Sequence, residues 1–338
     1  MSPSPPTFQP PPALLEMLRK SRRPLLLSHI YPDGDGIGSE LALYRALEQL
    51  GAQPGILNSH ATPEKFGFLD PEGVVQVAAR PQPSAQDQQR VAEADLCVVL
   101  DTSDPERLGA LWPLVEGGNA PICVIDHHLC DDPSVFQAIW SETASPSTGS
   151  LVLDVIEGLG VAVTAPMATA LFVALATDTG WFRFGNASSD AYGCAARLVA
   201  AGADPESLYT LVFEASSIAR TRLLGELLAN AQSVEDDRIV WSVLRREMLD
   251  RHGVPYEEID GFIDLLKGVR EAEIVFLAVE LSPGRYKVSL RSRGPVTIHS
   301  IATGFGGGGH AQAAGCRLEG DEQEVLAQIL AAARETIT

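Results

Sequence analysis

Apolar and polar positions fall in blocks along the chain. Three short runs, Pro24–Ser28 (PLLLS), Leu96–Leu100 (LCVVL) and Ile122–Ile125 (ICVI), are apolar nearly throughout, with no alternation. A run of that length with both faces apolar predicts a strand covered on both sides, as in a parallel sheet. Longer segments with helical periodicity lie between and after them. Ile37–Leu50 predicts a helix closed by Gly51, and Pro146–Leu159 and Ala165–Leu175 predict two more. This β/α alternation predicts a doubly wound α/β domain.

After Phe184 the pattern changes. Ser188–Ala201 and Pro205–Phe213 predict helices separated by a Gly-Ala-Asp break, and Leu223–Ala231 predicts a third. Strand-like runs then return at Ile239–Leu244, Ile274–Glu280 and Lys287–Arg291, with helical segments at Tyr256–Leu266 and Asp321–Ala332. The expected organisation is a disordered Pro-rich leader (1–12), a mostly parallel catalytic domain (13–187), a helical linker (188–218) and a smaller mixed-sheet α/β domain (219–338), with a cleft between the two domains. A chain of 338 residues is long enough for about two domains.

Composition narrows the function classes. The first residues, MSPSPPTFQPPP, hold neither a cationic segment nor an apolar core of the kind a signal peptide needs. No apolar run reaches transmembrane length, so no membrane association is expected. Five cysteines in no metal-binding spacing read as free thiols in a reducing cytoplasm, Cys97 and Cys123 as buried ones. A formal net charge of −19 argues against a groove for long duplex nucleic acid. It leaves room for a small anionic substrate held by cations and a few placed arginines.

The candidate chemistry lies where the apolar runs stop. LLLSHIYPDGDGIGSE supplies His29, Asp33 and Asp35; LCVVLDTSD supplies Asp101; CVIDHH supplies Asp126, His127 and His128; ALFVALATDTGWF supplies Asp178. In an open α/β sheet, ligands bind beyond the carboxyl ends of the strands. Singly, Asp101 reads equally well as a cap, His29 as a core histidine, and Asp33 and Asp35 as turn residues. Together, carboxylates crowded at one sheet edge repel one another unless cations neutralise them. Carboxylates and imidazoles without thiolates favour Mn, Mg or Fe, and enough are present for two ions. Such a pair clamps a phosphoryl group and activates a water, which points to phosphoester or phosphoanhydride hydrolysis. Near the other end of the chain, RSRGPVTIHSIATGFGGGGHAQAAG places Arg291 at a strand end and His310 behind the glycines Gly306–Gly309. The glycine run is expected to open a helix N-terminus that attracts anions.

The pattern His29-x-x-x-Asp33-x-Asp35-x-x-Gly38-Ser39, the Asp126-His127-His128 triplet and the late Gly-Gly-Gly-His310 loop resemble the DHH phosphoesterase superfamily. The late domain resembles its DHHA1 domain, and the two-domain layout is most similar to the bacterial nanoRNase/pAp phosphatase (NrnA) group. The resemblance implies two Mn2+, with Mg2+ or Fe2+ as alternatives. His29 and Asp33 would hold one ion, Asp35, His127 and Asp178 the other, and Asp101 would bridge both. It assigns His128 to the phosphate or the attacking water and Asp126 to orienting an imidazole. Arg291, Ser292, Gly307, Gly308, Gly309 and His310 would hold the substrate.

The implied activity is a cytoplasmic, manganese-dependent hydrolase. It would cut very short single-stranded RNA to mononucleotides and dephosphorylate 3′-phosphoadenosine 5′-phosphate (pAp). Phosphodiesterase action on linear or cyclic dinucleotides is the first alternative, a single-strand-specific exonuclease or a non-catalytic nucleotide sensor the next. The late glycine loop speaks against a pyrophosphatase. A homodimer is left open, since no residue pattern addresses oligomeric state.

Overall fold

A computed structural model describes residues 8–130, 132–214, 216–259 and 261–337, with Glu257 and His310 described by their backbone alone. The chain divides into two compact units, Met1–Ala215 and Ser216–Thr338. None of the helices among the described residues is long and apolar enough to cross a membrane.

The first unit is built on six parallel strands: β1 (Pro24–Ser28), β2 (Gly55–Asn58), β3 (Val75–Val77), β4 (Leu96–Leu100), β5 (Ile122–Asp126) and β6 (Ala138–Ser141). Their order is β3-β2-β1-β4-β5-β6. Chain order therefore reverses between β1 and β4, which pair in register from Pro24 opposite Leu96 to Ser28 opposite Leu100. That reversal opens a crevice at the carboxyl ends of the strands. The helices are α1 (Pro12–Lys20), α2 (Gly34–Gln49), α3 (Ala85–Glu93), α4 (Trp112–Glu116), α5 (Thr148–Gly158), α6 (Ala165–Asp178), α7 (Ser189–Ala200) and α8 (Pro205–Phe213). β1, β4 and β5 are buried along their whole length, as their unbroken apolar composition requires. Cys97 and Cys123 are buried in β4 and β5, and all five cysteines are free thiols.

Several elements differ from the sequence reading. Helix α2 begins at Gly34, three residues earlier than Ile37, because Asp33 caps it: its Oδ1 accepts from the Asp35 and Gly36 amides at 3.0 and 3.2 Å. Residues 8–12 are not a disordered leader. The Phe8 amide donates to Asp154 Oδ2 at 2.9 Å, and Pro12 opens α1, whose Leu14 and Leu18 are buried. Residues 1–7 of that leader lie outside the described residues. Helices α7 and α8, expected in a linker, bury Leu198, Leu208 and Val212 in the core of the first unit.

The second unit holds β7 (Gln232–Val234), β8 (Ile239–Leu244), β9 (Ile274–Ser282), β10 (Arg285–Ser292), β11 (Gly308–His310) and β12 (Ala313–Glu319). They form one mixed sheet in the order β11-β12-β10-β9-β8-β7, in which β8 and β9 run parallel and the other pairs antiparallel. Its helices are α9 (Ile218–Ala229), α10 (Arg246–His252), α11 (Phe262–Leu266), α12 (His299–Gly304) and α13 (Glu322–Ile337). The single helix expected over Tyr256–Leu266 is broken into a 3-10 turn (Tyr256–Ile259) and α11, with Gly261 at φ 82° between them. The glycine run does not open a helix. It follows α12, and the Gly306 and Gly307 amides close that helix by donating to the Thr303 and Ala302 carbonyls at 3.0 and 2.8 Å. The chain then enters β11.

Candidate metal centre

Each ligand type sits where an element ends. β1 stops at Ser28 and His29 follows. The His29 Nδ1 donates to the Ile30 carbonyl at 2.8 Å, which leaves Nε2 to face carboxylates. That nitrogen lies 3.3 Å from Asp101 Oδ2 and 3.8 Å from Asp33 Oδ1. Asp35, in the first turn of α2, is buried; its two oxygens accept from the Thr148 and Gly149 amides at 2.7 and 2.8 Å. Those amides are orphan donors at the start of α5, so a helix N-terminus holds this carboxylate in place. Asp101 follows β4 in a left-handed conformation, φ 64°, and accepts from Thr148 Oγ1 at 3.0 Å.

The Asp126-His127-His128 triplet divides between three tasks. Asp126 ends β5 fully buried, and its Oδ1 accepts from His128 Nδ1 at 2.8 Å. His127 sets its Nδ1 3.3 Å from the Ser145 carbonyl. Its Nε2 is buried with no hydrogen-bond partner among the described residues and lies 3.6 Å from Asp178 Oδ2 and 3.8 Å from both Asp35 Oδ2 and Asp101 Oδ1. Asp178 closes α6, and Asn186 Nδ2 donates to its Oδ2 at 3.2 Å.

The electrostatics are those of a site short of positive charge. Burial pushes Asp35 well above the usual carboxylate range, and the charges of Asp101, Asp178 and Asp33 push it further. Asp178 is raised to about 6, by burial first and, against the pull of His127, by Asp101 and Asp33. Burial opposes a charge on His29, yet hydrogen bonds and charge from Asp101 and Asp33 lift it to about 10. Protons stand in for cations here.

The residues fit divalent cations. Three sets of ligand atoms each lie within 4.8 Å of one another: His29, Asp33 and Asp101; Asp35, His127 and Asp178; Asp101, His127 and His128. The unpartnered His127 Nε2 in the midst of carboxylates is the atom a metal would satisfy. A set of oxygens and imidazole nitrogens without thiolates suits Mn2+, Mg2+ or Fe2+.

The structure thus brings together His29, Asp33, Asp35, Asp101, Asp126, His127, His128 and Asp178. It also shows supports that the sequence did not reveal: Thr148, which holds both Asp35 and Asp101, Asn186 behind Asp178, and Arg107, whose charge works against protonation of His128. A start of helix α5 was legible, but its use as a carboxylate anchor was not.

The residues expected to bind substrate are all in the second unit. Arg291 lies in β10, its Nε 3.5 Å from Asp264 Oδ1. Ser292 is buried and donates its hydroxyl to the Val296 carbonyl at 2.6 Å, so its side chain serves the turn and does not suit a ligand contact. Gly307 and Gly309 are explained by packing: a Cβ at either would come within 2.1 Å of the Gly315 carbonyl or 2.5 Å of the Ala313 carbonyl. Gly308 faces open space. The side chain of His310 lies outside the described residues.

Comparison with known proteins agrees with this division. Residues 25–177 match the DHH family N-terminal domain, and residues 236–338 match the DHHA1 domain. A Thermus thermophilus protein named bifunctional oligoribonuclease and PAP phosphatase NrnA is 31% identical over 326 residues, 96% of this chain and 93% of that one. The cyclic-di-AMP phosphodiesterase GdpP of Geobacillus thermodenitrificans is 26% identical over 325 residues, and this chain spans 46% of its length. Among solved structures, an exopolyphosphatase-related protein from Bacteroides fragilis superposes with a TM-score of 0.90 at 24% identity, covering 96% of this chain and 95% of that one. With its fold, its two domain matches and the extent of the Thermus relative, the chain belongs to the DHH–DHHA1 phosphoesterases.

Proposed function

We propose that this phosphoesterase hydrolyses very short RNA oligonucleotides to mononucleotides and removes a phosphate from pAp, using two Mn2+. The observation that carries the two-metal part is the position of Asp101. Its Oδ2 faces His29 at 3.3 Å and its Oδ1 faces His127 at 3.8 Å, so one carboxylate joins two ligand sets. The substrate part rests on the Thermus thermophilus relative, which matches over nearly the full length of both chains.

His29, Asp33 and Asp101 would hold one ion, and Asp35, His127, Asp178 and Asp101 the other. When bound, such ions supply the charge that neutralises a phosphoryl group and makes water acidic enough to attack it. The remaining work falls to the chain. Thr148 and Asn186 fix the carboxylates, which spares reorganisation when charge develops. Asp126 orients His128. Burial opposes a charge on His128, but its hydrogen bond to Asp126 and the charge of Asp101 outweigh it and raise its pKa, which suits a proton donor to the phosphate. In the second unit, Arg291 is the proposed phosphate contact, with a guanidinium suited to a two-pronged bond; Gly308 and His310 are proposed at the substrate.

The GdpP relative supports a second reading, hydrolysis of linear or cyclic dinucleotides. One panel separates them: manganese-loaded protein with pApA, a five-nucleotide RNA, a long single strand, cyclic di-AMP and pAp. The proposal expects mononucleotides from the two short RNAs and phosphate release from pAp. Cleavage of cyclic di-AMP with pAp untouched would favour the second reading.

A further inference from the structure

Beside the metal centre stands an aromatic pair that none of these roles uses. Tyr31 lies on the loop between His29 and Asp33 and is 73% exposed. Its backbone is left-handed, with φ 54°, a conformation a bulky side chain rarely adopts and one that concentrates at functional sites. Its ring packs on His60, with centroids 4.1 Å apart and planes 41° apart. His60 stands two residues beyond the end of β2, and His29 directly after β1. The two strands are parallel neighbours tied at their ends, where the Ser28 amide donates to Asn58 Oδ1 at 3.0 Å. The pair therefore stands at the sheet edge that carries the metal ligands.

The loops beneath it are fixed. The Ile30 amide donates to the Arg107 carbonyl, and Ser59 Oγ donates to the Leu108 carbonyl, each at 2.6 Å. Gly109 permits this approach: a Cβ there would meet Ile30 Cγ2 at 2.9 Å. Burial, then the charge of Arg80, lowers the pKa of His60 and favours its neutral ring. An exposed aromatic ring on a fixed loop, backed by a second ring and placed beside a phosphate-handling site, has the makings of a stacking surface for a planar ligand.

We propose that Tyr31, backed by His60, is a nucleobase platform at the rim of the metal centre that stacks on the base of the nucleotide whose phosphoester is cut. The preferred partner is a purine, which offers the larger π face. This rests on the nucleotide substrates proposed above, and the test separates the two. Binding of AMP and of ribose 5-phosphate to the manganese-loaded full chain is measured by calorimetry for wild type, Tyr31→Ala and Tyr31→Phe. Base–aromatic stacking is worth roughly 5- to 150-fold in affinity. Wild type is therefore expected to bind AMP at least about fivefold tighter than ribose 5-phosphate. Tyr31→Ala removes most of that difference, and Tyr31→Phe, which keeps the ring, restores it. With pApA as substrate, Tyr31→Ala raises KM far more than it lowers kcat.

Equal weakening of both ligands by Tyr31→Ala, or no change in AMP binding, overturns the platform. Hydrolysis of pAp and pApA with a KM indifferent to Tyr31 also overturns it, while leaving the nucleotide reading intact. Tyr31-dependent AMP binding in a protein that hydrolyses neither substrate supports the platform and overturns that reading.

Discussion

Asp126 Oδ1 accepts from His128 twice, from Nδ1 at 2.8 Å and from the main-chain amide at 3.1 Å. A fully buried carboxylate thus fixes both the ring and the backbone of the residue it serves. The arrangement sets the tautomer: Nδ1 carries a proton for Asp126, and Nε2 is the nitrogen that varies with pH. Asp126→Asn keeps an acceptor at that place but removes the charge. Loss of such a supporting partner typically costs about 10–100-fold in activity. We expect kcat on pAp to fall in that range, Mn2+ affinity to change much less, and the His128 pKa, followed by NMR, to move down. An unchanged kcat would show that His128 needs no such support.

Asp101 is expected to decide how much stability Mn2+ adds. Asp33, Asp35, Asp101 and Asp178 crowd one edge; burial first, and then their mutual repulsion, raises Asp35 and Asp178. Asp101→Asn removes one charge, keeps an oxygen for Thr148 Oγ1, and tolerates the φ of 64° that asparagine adopts more readily than most residues. In chelator, relief of that repulsion and loss of the charge that lifts His29 oppose each other, so the variant should melt within a few degrees of wild type, where ~1 kcal/mol is worth ~2–4 °C in a unit of this size. With Mn2+ the variant should melt well below wild type, and pAp hydrolysis should be abolished. A variant that still gains the full melting increment from Mn2+ would remove the bridging role.

Much of this candidate centre is legible in the sequence because a buried parallel strand shows as an apolar run and the candidate ligand as the polar residue that stops it. His29, Asp101 and Asp126-His127-His128 announce themselves in that way, and Asp178 does so at the end of an apolar helix. Thr148 does not. Its amide reaches Asp35 across 113 positions, and no local pattern encodes that contact. Nor does periodicity reveal β11, since four glycines carry no hydropathy signal and the strand exists only by pairing with β12. The break at Gly261 is a similar case, in which one glycine with positive φ ends a pattern that otherwise continues as a helix.

Glu40 gives the first unit a pH dependence independent of activity. It is buried in α2, accepts from Asn58 Nδ2 at 2.7 Å, and leaves Oε1 without a hydrogen-bond partner among the described residues. Burial raises its pKa from 4.5 to about 8, against the Asn58 hydrogen bond and the charge of His29. Between those values the folded chain holds one proton more than the unfolded chain. Stability from this group is therefore complete at low pH and declines as pH rises through the window, with no further loss once both states are ionised. Glu40→Gln removes the titration. In chelator, its urea midpoint should change less than that of wild type between pH 5 and pH 8, a difference on the order of 1–3 kcal/mol. Parallel curves would assign the pH dependence elsewhere.

In the glycine run of the second unit, packing and the proposed substrate contact fall at adjacent positions. At Gly307 a Cβ would lie 2.1 Å from the Gly315 carbonyl and 2.7 Å from Cys316 Cα, both backbone atoms that cannot step aside. Gly307→Ala should therefore push β11 off β12 and destabilise the unit by ~1–3 kcal/mol, the usual range for overpacking. At Gly308 nothing lies within 4 Å, and its φ is not in the left-handed region. Gly308→Ala should melt with wild type, so any change it makes in KM for pApA reports on substrate alone. Arg291→Ala provides the reference: it should raise KM for pApA roughly tenfold or more, the loss of a charge-assisted contact worth about 1.5–3 kcal/mol, with little change in kcat. If Gly308→Ala and Arg291→Ala both bind pApA as wild type does, this face of the sheet takes no part in capture, and the glycines are there to let β11 lie against β12.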